Sequence, residues 1–447
     1  MTLTDRLAAH CARCVDPADL ARAQLHVLAW TGAAGLAAAT PSARLFHAGL
    51  AGLGDSTDAW HSLLFEASLG SLFEMDDTHR QALVHPAPVI VPVVLALGRK
   101  HAASGQALLA ALVRGYEAMI RLGMSVGPGH YRYWHNTSTC GAVGAAVAAA
   151  DVLGLDTDRT AHAIRLALVQ SSGLWQTRLD ACDAKAWHLS RTAQTGVQAA
   201  YLARAGVRGP ANALEGEKGF YAAMCPDPDP DALTRDGGPA WQIHATSFKP
   251  WAACRHAHPA IDAALAVRSA WLTQAGARPW SQVQSITIAT YEDAVAFCDR
   301  TQPTTVDEAR FSLQHAVAVS LLQGSPAPAA FEPATIALAP VAALRAVTQA
   351  QVDAAIESRY PAHFSATVTV HWHDGTSLSH TALDTLGDPE KPLAPAALRD
   401  IVEASLAAAG WPDEQSRARL AHTCALVDDT SGAWRTGLPV LKARAHD

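Results

Sequence analysis

The stretch CGAVGAAVAAADVLGLD, residues 140–156, decides the fold class of this chain because it is built almost wholly from Gly, Ala and Val. A helix with such small side chains lets neighbouring helices approach closely, as expected at the centre of a helical bundle. Thr137 or Ser138 is predicted to cap its start, and Gly154 is predicted to end it. The stretch therefore predicts a buried central helix.

The sequence around this stretch continues the helical pattern. The segments ADLARAQLHVLAWTGAAGLAAA, residues 18–39, and HAIRLALVQSSGLWQ, residues 162–176, repeat apolar positions at helical spacing. Residues 1–245 are accordingly predicted to be almost wholly helical.

The pattern changes after the Pro-, Asp- and Gly-rich loop CPDPDPDALTRDGGP, residues 225–239. The run VQSITIATY alternates, and SATVTVHWHDGTSLSHTAL has two alternating runs around Asp374 and Gly375, which predicts a β-hairpin. We therefore expect a mainly α fold with a large all-helical domain and a smaller α+β lid domain. The expected divisions are residues 1–246 for the helical domain, 247–388 for the lid, and 389–447 for a C-terminal helical segment returning to the helical domain.

Composition excludes several classes of protein. The 447 residues are 49% hydrophobic and 17% charged, which is typical of a globular chain. The net charge is −7 and no long Lys/Arg cluster is present, so nucleic acid is not an expected partner. The most apolar window, VHPAPVIVPVVLALG, is too short to span a bilayer, and the N-terminus lacks a signal-peptide pattern. We expect a cytoplasmic protein with no membrane partner.

The eight cysteines do not predict a metal centre. Only Cys11 and Cys14 form a CxxC pair, and a zinc site needs a second pair of ligands at similar spacing. The sequence also has no Gly-rich phosphate loop after a strand, so nucleotide binding is not predicted.

Four segments concentrate polar side chains within apolar surroundings: EMDDTHRQALVHP (74–86), YRYWHNTSTCG (131–141), DAKAWHLSRTAQTG (183–196) and SFKPWAACRHAHPAID (247–262). Lys, Arg and His set among Trp and Ala suit a small polyanion such as a di- or tricarboxylic acid. Lys and His in a partly desolvated pocket can also have pKa values near neutrality, as acid–base catalysis requires. The alternative for each segment is structural, and for the first it is a solvated helix start.

The segments, in this order, resemble the MmgE/PrpD family of dehydratases, decarboxylases and epimerases. The resemblance rests on these stretches, which run from about residue 70 to residue 325: MDDTH, HPAPVIVPVVLALG, GYEAMIRLG, WHNTSTCGAVGAAVAAADVLGLD, KAWHLSRTAQTGVQAAYLARAGVRGPANALEGEKGF, SFKPWAACRHAHPAIDAAL and EARFSLQHAVAVSLLQG.

The resemblance implies a helical domain joined to an α+β lid with the active site in the cleft between them, a homodimer, and no metal or organic cofactor. Carried over by position, it gives these site residues: Asp77, Thr78, His85, His135, Lys185, Lys249 and His258. The polar segments themselves add Arg255 and His188. We predict Lys185, His135 and His85 as catalytic residues, with Asp77, Thr78, Lys249, Arg255, His258 and His188 binding substrate.

The sequence departs from the family pattern at three positions. Glu74 stands where relatives often have Asp, His315 where the decarboxylase type has Tyr, and Cys254 where some relatives have His. These departures leave the reaction open. The first expectation is a 2-methylcitrate dehydratase-like lyase that moves a proton at the carbon next to a carboxylate. The alternatives are an iminodisuccinate epimerase-like isomerase, a cis-aconitate decarboxylase-like lyase, and an inactive relative that only binds a metabolite.

Overall fold

The computed structural model describes residues 1–53, 58–180, 182–235, 240–274 and 278–443. The chain divides into two compact units, and each is described by itself. The first unit comprises Met1–Ser247 and Ala394–Asp447, and the second comprises Phe248–Leu393. The prediction of a mainly α fold is confirmed, because helices dominate and the sheets are small.

The helices that precede the second unit are α1 Leu3–Cys11, α2 Pro17–Ala37, α3 Pro41–Ala51, α4 Ala59–Leu69, α5 Ala87–His101, α6 Gly105–Ser125, α7 Pro128–Tyr131, α8 Asn136–Val152, α9 Thr157–Leu168, α10 Ala184–Arg204 and α11 Phe220–Met224. The second unit contains α12 His258–Leu272, α13 Glu292–Cys298, α14 Val306–Arg310, α15 Leu313–Gln323, α16 Pro333–Ile336, α17 Ala339–Ala346 and α18 Ala354–Glu357. The returning segment contributes α19 Pro395–Ala408, α20 Asp413–Cys424 and α21 Trp434–Gly437. The strands are β1 Thr78–His79, β2 Thr246–Ser247, β3 Val283–Thr290, β4 Thr348–Val352, β5 Ala366–Trp372 and β6 Ser377–Ala382.

Helix α8 is the buried centre of the first unit, and its main neighbours are α6 and α10. A Cβ atom added at Gly144 would lie 2.7 Å from the Gly115 oxygen on α6. A Cβ atom at Gly196 on α10 would lie 2.3 Å from the Cβ of Ala145. These distances are too short for side chains, so backbone packs against small residues on both sides. The central helix predicted from the sequence is confirmed.

The ends of α8 match the prediction at one end only. Gly154 follows the helix with φ +67°, the left-handed conformation expected of a terminating glycine. The start was predicted wrongly, because the N-cap residue is His135 while Thr137 and Ser138 lie inside the first turn. The hydroxyl of Ser138 instead donates to the main-chain oxygen of Ser172 at 2.6 Å. The N-cap position is occupied by His135, whose side chain makes no capping hydrogen bond.

The opening polar segment, between α4 and α5, is buried and is not a helix. Residues 74–80 are all buried, so the alternative of a solvated helix start is wrong. Strand β1 pairs antiparallel with β2, which places Thr78 opposite Ser247 and His79 opposite Thr246. Backbone pairing therefore holds Thr78 and His79 against residues 246 and 247, the last two residues of the first unit before the second unit begins.

The apolar stretch after it forms α5, which is buried from Ala87 to Gly98. No helix among the described residues is long and apolar enough to span a membrane.

The second unit is built on a four-stranded sheet in the order β4-β3-β5-β6, with β3 parallel to β4 and antiparallel to β5. Strands β5 and β6 form the predicted hairpin, with Val370 opposite Leu378 and Gly375 at φ +82° in the turn. Alternate residues of β5 are buried, and α12 packs against β5 and β6. Helices α14 and α15 are separate, and the side chain of Ser312 caps the start of α15.

Candidate active site

Asp77 is held by three hydrogen bonds inside the first unit. Its Oδ2 accepts from the hydroxyl of Tyr116 and from Nδ1 of His26, both at 2.7 Å, and its Oδ1 accepts from the main-chain N–H of Ala87 at 2.9 Å. Burial by itself would raise the pKa of Asp77, but the hydrogen bonds, led by that from His26, hold the pKa below its usual value. Burial lowers the pKa of His26 to about 4. The pair is therefore a carboxylate bound by a neutral imidazole, an arrangement that positions the segment.

His85 is brought against Asp77 and Thr78 by the turn that follows β1. Its Nδ1 lies 2.7 Å from the main-chain oxygen of Asp77, 3.0 Å from the hydroxyl of Thr78 and 3.4 Å from Oδ2 of Asp76. Because a main-chain oxygen only accepts, Nδ1 of His85 carries the hydrogen. In the neutral ring Nε2 is then the accepting nitrogen, and this orients the imidazole.

His135 lies at the N-terminus of α8, where its main-chain N–H donates to the oxygen of Gly173 at 3.0 Å. Its ring stacks on Trp175 with the ring centres 4.3 Å apart and an angle of 11°. Nδ1 of His135 lies 3.3 Å from Nδ1 of His188, so the two rings share a hydrogen bond. Nε2 is buried and has no hydrogen-bond partner among the described residues. This nitrogen is a buried polar atom that the described part of the chain does not satisfy.

The surroundings of His135 keep its ring neutral. Burial lowers the pKa of His135 well below its usual value, and electrostatic interactions with Lys185, His188 and His85 lower it further. Burial also lowers the pKa of His188. A neutral imidazole offers a lone pair and can accept a proton.

Lys185 forms an ion pair with Glu74, and their side chains are 22% and 10% exposed. Lys185 is the second residue of α10, one helical turn before His188. Glu74 has φ +54°, a left-handed conformation that is unfavourable for a residue with a Cβ atom. The acidic segment thus provides a carboxylate for a lysine 111 residues away in the sequence.

An open cleft of about 450 Å³ lies beside these residues in the first unit. His188 lines it, together with Ser172, Gly173, Leu174, Gln176, Thr177, Asp180, Cys182, Trp187 and Arg191. The cleft exposes His188, the residue that contacts His135.

The remaining predicted residues belong to the second unit, where Lys249, Arg255 and His258 are all buried. Arg255 forms an ion pair with Asp388, and its Nη1 donates to Nδ1 of His258 at 3.2 Å. Nε2 of His258 lies 3.1 Å from the oxygen of Ala253. Burial lowers the pKa of His258 well below its usual value, and the charges of Arg255 and Lys249 act in the same direction. Both nitrogens of His258 are therefore engaged within the unit.

Two of the positions that depart from the family pattern are part of the interior of the second unit. His315 lies 2.8 Å through Nε2 from the oxygen of Ala330 and accepts through Nδ1 from Arg345 at 3.1 Å. Burial lowers the pKa of His315 to about 4. Cys254 is buried, and its main-chain N–H donates to the oxygen of Arg310 at 2.9 Å. The engaged nitrogens favour a structural role for His315.

Comparison with known families agrees with the order of these segments. The MmgE/PrpD N-terminal domain matches residues 13–233, and the MmgE/PrpD C-terminal domain matches residues 251–425. The chain belongs to the MmgE/PrpD family.

Three similar proteins within this comparison are named as cis-aconitate decarboxylases or decarboxylase-like. The chain is 28% identical over 259 residues to "Cis-aconitate decarboxylase" of Homo sapiens, which covers 56% of this chain and 53% of the relative. It is 26% identical over 279 residues to "Cis-aconitate decarboxylase-like protein oryM" of Aspergillus oryzae, covering 58% of each. It is 26% identical over 205 residues to "Cis-aconitate decarboxylase" of Aspergillus terreus, covering 42% and 41%. The chain spans about half the length of the curated relatives it matches.

Sequence reasoning missed several residues that hold the site of this MmgE/PrpD protein. Tyr116 lies in GYEAMIRLG and Trp175 in SSGLWQ. In each stretch, the aromatic side chain was the feature that could have indicated a residue of the site. His26 and Asp388 gave no signal, because each acts on a residue far away in the sequence.

Proposed function

We propose that this MmgE/PrpD protein is a cofactor-independent lyase. Its substrate is a small di- or tricarboxylic acid, and the shared chemical step is proton transfer at the carbon next to a carboxylate. The observation that carries the proposal is the neutral, buried His135, whose Nε2 lacks a partner among the described residues while Lys185 supplies positive charge nearby. A neutral base beside a cation suits the formation of an enolate-like carbanion.

In dehydration or epimerisation, Nε2 of His135 takes the proton from carbon. Negative charge then develops on the adjacent carboxylate, and the ammonium group of Lys185 stabilises it. Glu74 keeps that ammonium group in place through its ion pair. The N-terminus of α8, which is the positive end of the helix dipole, lies beside His135 and favours the developing negative charge.

Carboxylate recognition is assigned to the other predicted residues. In the first unit, Thr78 and His85 would contact a substrate carboxylate, while Asp77 positions them through its three hydrogen bonds. In the second unit, Lys249 would bind a further carboxylate. The engaged nitrogens of His258 support a role in orienting Arg255.

The first candidate reaction is decarboxylation of a cis-aconitate-like tricarboxylate, since the named relatives are cis-aconitate decarboxylases. In this reaction a C–C bond breaks and carbon dioxide leaves without the bonding electrons. The carbanion left behind takes a proton from a protein acid, for which Lys185 is the candidate.

The second candidate is dehydration of a 2-methylcitrate-like hydroxy acid, and the neutrality of His135 favours it. Here the base removes a proton from carbon, and hydroxide leaves with a proton from the acid. An imidazole with a strongly lowered pKa is suited to accept a proton first. Epimerisation of an amino-dicarboxylate shares this first step.

The test is to incubate the purified protein with cis-aconitate, 2-methylcitrate and iminodisuccinate in deuterated water and to follow the products by NMR. A product from decarboxylation or epimerisation should carry deuterium at the carbon next to a carboxylate. Protium at that carbon, confirmed with a labelled substrate to exclude return of the same proton, would refute the proton-transfer step.

An inactive metabolite-binding protein is the competing proposal. It would be stabilised by these acids in a thermal melt yet convert none of them. A lid role for the second unit, a homodimeric assembly and a cytoplasmic location, all expected from the sequence, belong to the enzyme proposal.

A further inference from the structure

Three potential metal ligands converge in the second unit. His363 follows α18, Asp384 follows β6, and Glu390 lies in the turn closed by the bridge between Asp388 and Lys391. One donor atom from each of His363, Asp384 and Glu390 lies within 4.8 Å of the others. Three separate segments of the chain therefore bring one imidazole and two carboxylates to one point.

The spacing of these donors fits a transition-metal ion after small side-chain rotations. Ligand bonds of about 2.0–2.2 Å in a tetrahedral site separate the donor atoms by about 3.4 Å. Nδ1 of His363 and Oδ1 of Asp384 are 2.6 Å apart, so they would move slightly apart. Closing the remaining gap requires a rotation of the exposed Glu390 side chain.

The surroundings leave room for a hydrated ion. Asp384 and Glu390 line an open cleft of about 510 Å³, into which water and ions can pass. Lys391 and Asp262 also line this cleft, where they form an ion pair at 3.1 Å. The cleft thus gives solvent access to the two acids of the cluster.

We propose that His363, Asp384 and Glu390 bind one divalent transition-metal ion, with Zn²⁺ preferred over Mn²⁺. An imidazole favours zinc over the hard, oxygen-seeking ions, and the Irving–Williams order places zinc above manganese. Water completes the coordination in the cleft. The ion joins the segment after α18 to the segment after β6 and is structural, so it takes no part in proton transfer.

The experiment uses the full chain, with any affinity tag removed and the protein stripped with a chelator. Zinc chloride is titrated by calorimetry, and thermal melts are recorded with and without it. The test variants are His363→Gln, Asp384→Asn and Glu390→Gln. The matched controls are His373→Gln, an exposed histidine beside the hairpin turn, and Glu403→Gln, an exposed glutamate on α19.

The expected result is one zinc ion per chain and a higher melting temperature with zinc, and weaker binding of Mn²⁺. Each test variant should weaken zinc binding by more than the roughly 10–100-fold typical of losing an outer-shell partner. Both controls should bind as the parent protein does. Absence of zinc binding by the parent protein would overturn the proposal. Zinc binding by the three test variants as tight as that of the parent protein would also overturn the proposal. It would point to other donors, such as the exposed thiols of Cys14 and Cys182.

Discussion

Replacing Gly196 with alanine should destabilise the first unit, because this glycine lets α10 lie directly on α8. The added Cβ would be 2.3 Å from the Cβ of Ala145 and 2.6 Å from the main-chain nitrogen of Ala146. Ordinary van der Waals contact begins at 3.4 Å, so the helices would have to separate by about 1.1 Å at this point. Neither obstacle is a flexible side chain, so rotation of a side chain cannot relieve the clash.

The size of the effect follows from two opposing contributions. Overpacking of this kind costs about 1–3 kcal/mol, and contact with backbone favours the upper end. The better helix propensity of alanine returns about 1 kcal/mol. The expected net loss in the free energy of unfolding is therefore about 2 kcal/mol. For the roughly 300 residues of the first unit, that loss lowers the Tm by about 3 °C.

The assay is urea unfolding and thermal melting of Gly196→Ala beside a matched control, Gly49→Ala. Gly49 lies in α3, is exposed, and has no atom within 4 Å of an added Cβ. The control should therefore become more stable by about 0.5 kcal/mol. Turnover should fall for Gly196→Ala only, because α10 carries Lys185 and its separation from α8 positions that residue. If Gly196→Ala is as stable as the parent protein, the account of close helix packing is wrong.

Three further predictions concern the candidate site and its surroundings. Lys185→Ala and His135→Ala should each lower turnover by about two to four orders of magnitude without unfolding the protein. The control Lys100→Ala on α5 should keep the turnover of the parent protein. Near-normal turnover in either test variant would remove that residue from the mechanism. Dialysis against a chelator should leave turnover intact, and a loss restored by one divalent metal would contradict a metal-independent reaction. Burial lowers the pKa of His79 from 6.5 to about 4. Between these pH values the unfolded chain binds a proton that the folded chain does not bind, so the free energy of unfolding decreases as the pH falls from 6.5 towards 4. His79→Asn keeps an acceptor for the N–H of Ala82 and should reduce the loss of stability between pH 7 and pH 5 by about 2 kcal/mol, measured by urea unfolding; an unchanged pH dependence would contradict this assignment.

The parts of the fold that the sequence predicted are those set by local patterns. The small residues of α8 predicted its central position, and Asp374 with Gly375 predicted the hairpin, because neighbouring residues determine each feature. The start of α8 was not predictable from capping preference. His135 takes that position because its main-chain N–H binds the oxygen of Gly173, which is distant in the sequence.

The residues of the candidate site remain a prediction from the sequence, and the contacts between them could not be predicted. Lys185 matches the family pattern and Glu74 departs from it, yet nothing in either segment indicates that they pair across 111 residues. The same limit applies to the stacking of Trp175 on His135. Such contacts depend on how helices pack, and that information is spread over the whole chain.

The hydrogen bond between His135 and His188 links the tautomers of the two rings. Two facing nitrogens 3.3 Å apart share a single hydrogen, so when one Nδ1 donates the other must accept. A carboxylate that accepts a hydrogen bond from Nε2 of His188 requires a hydrogen on that atom, which leaves Nδ1 of the neutral ring as the acceptor. The shared hydrogen then resides on His135, and the lone pair of that ring is on Nε2. In the proposed mechanism, an acid bound in the cleft would thus place the accepting lone pair on Nε2 of His135. This change moves only hydrogens, and no heavier atom has to move.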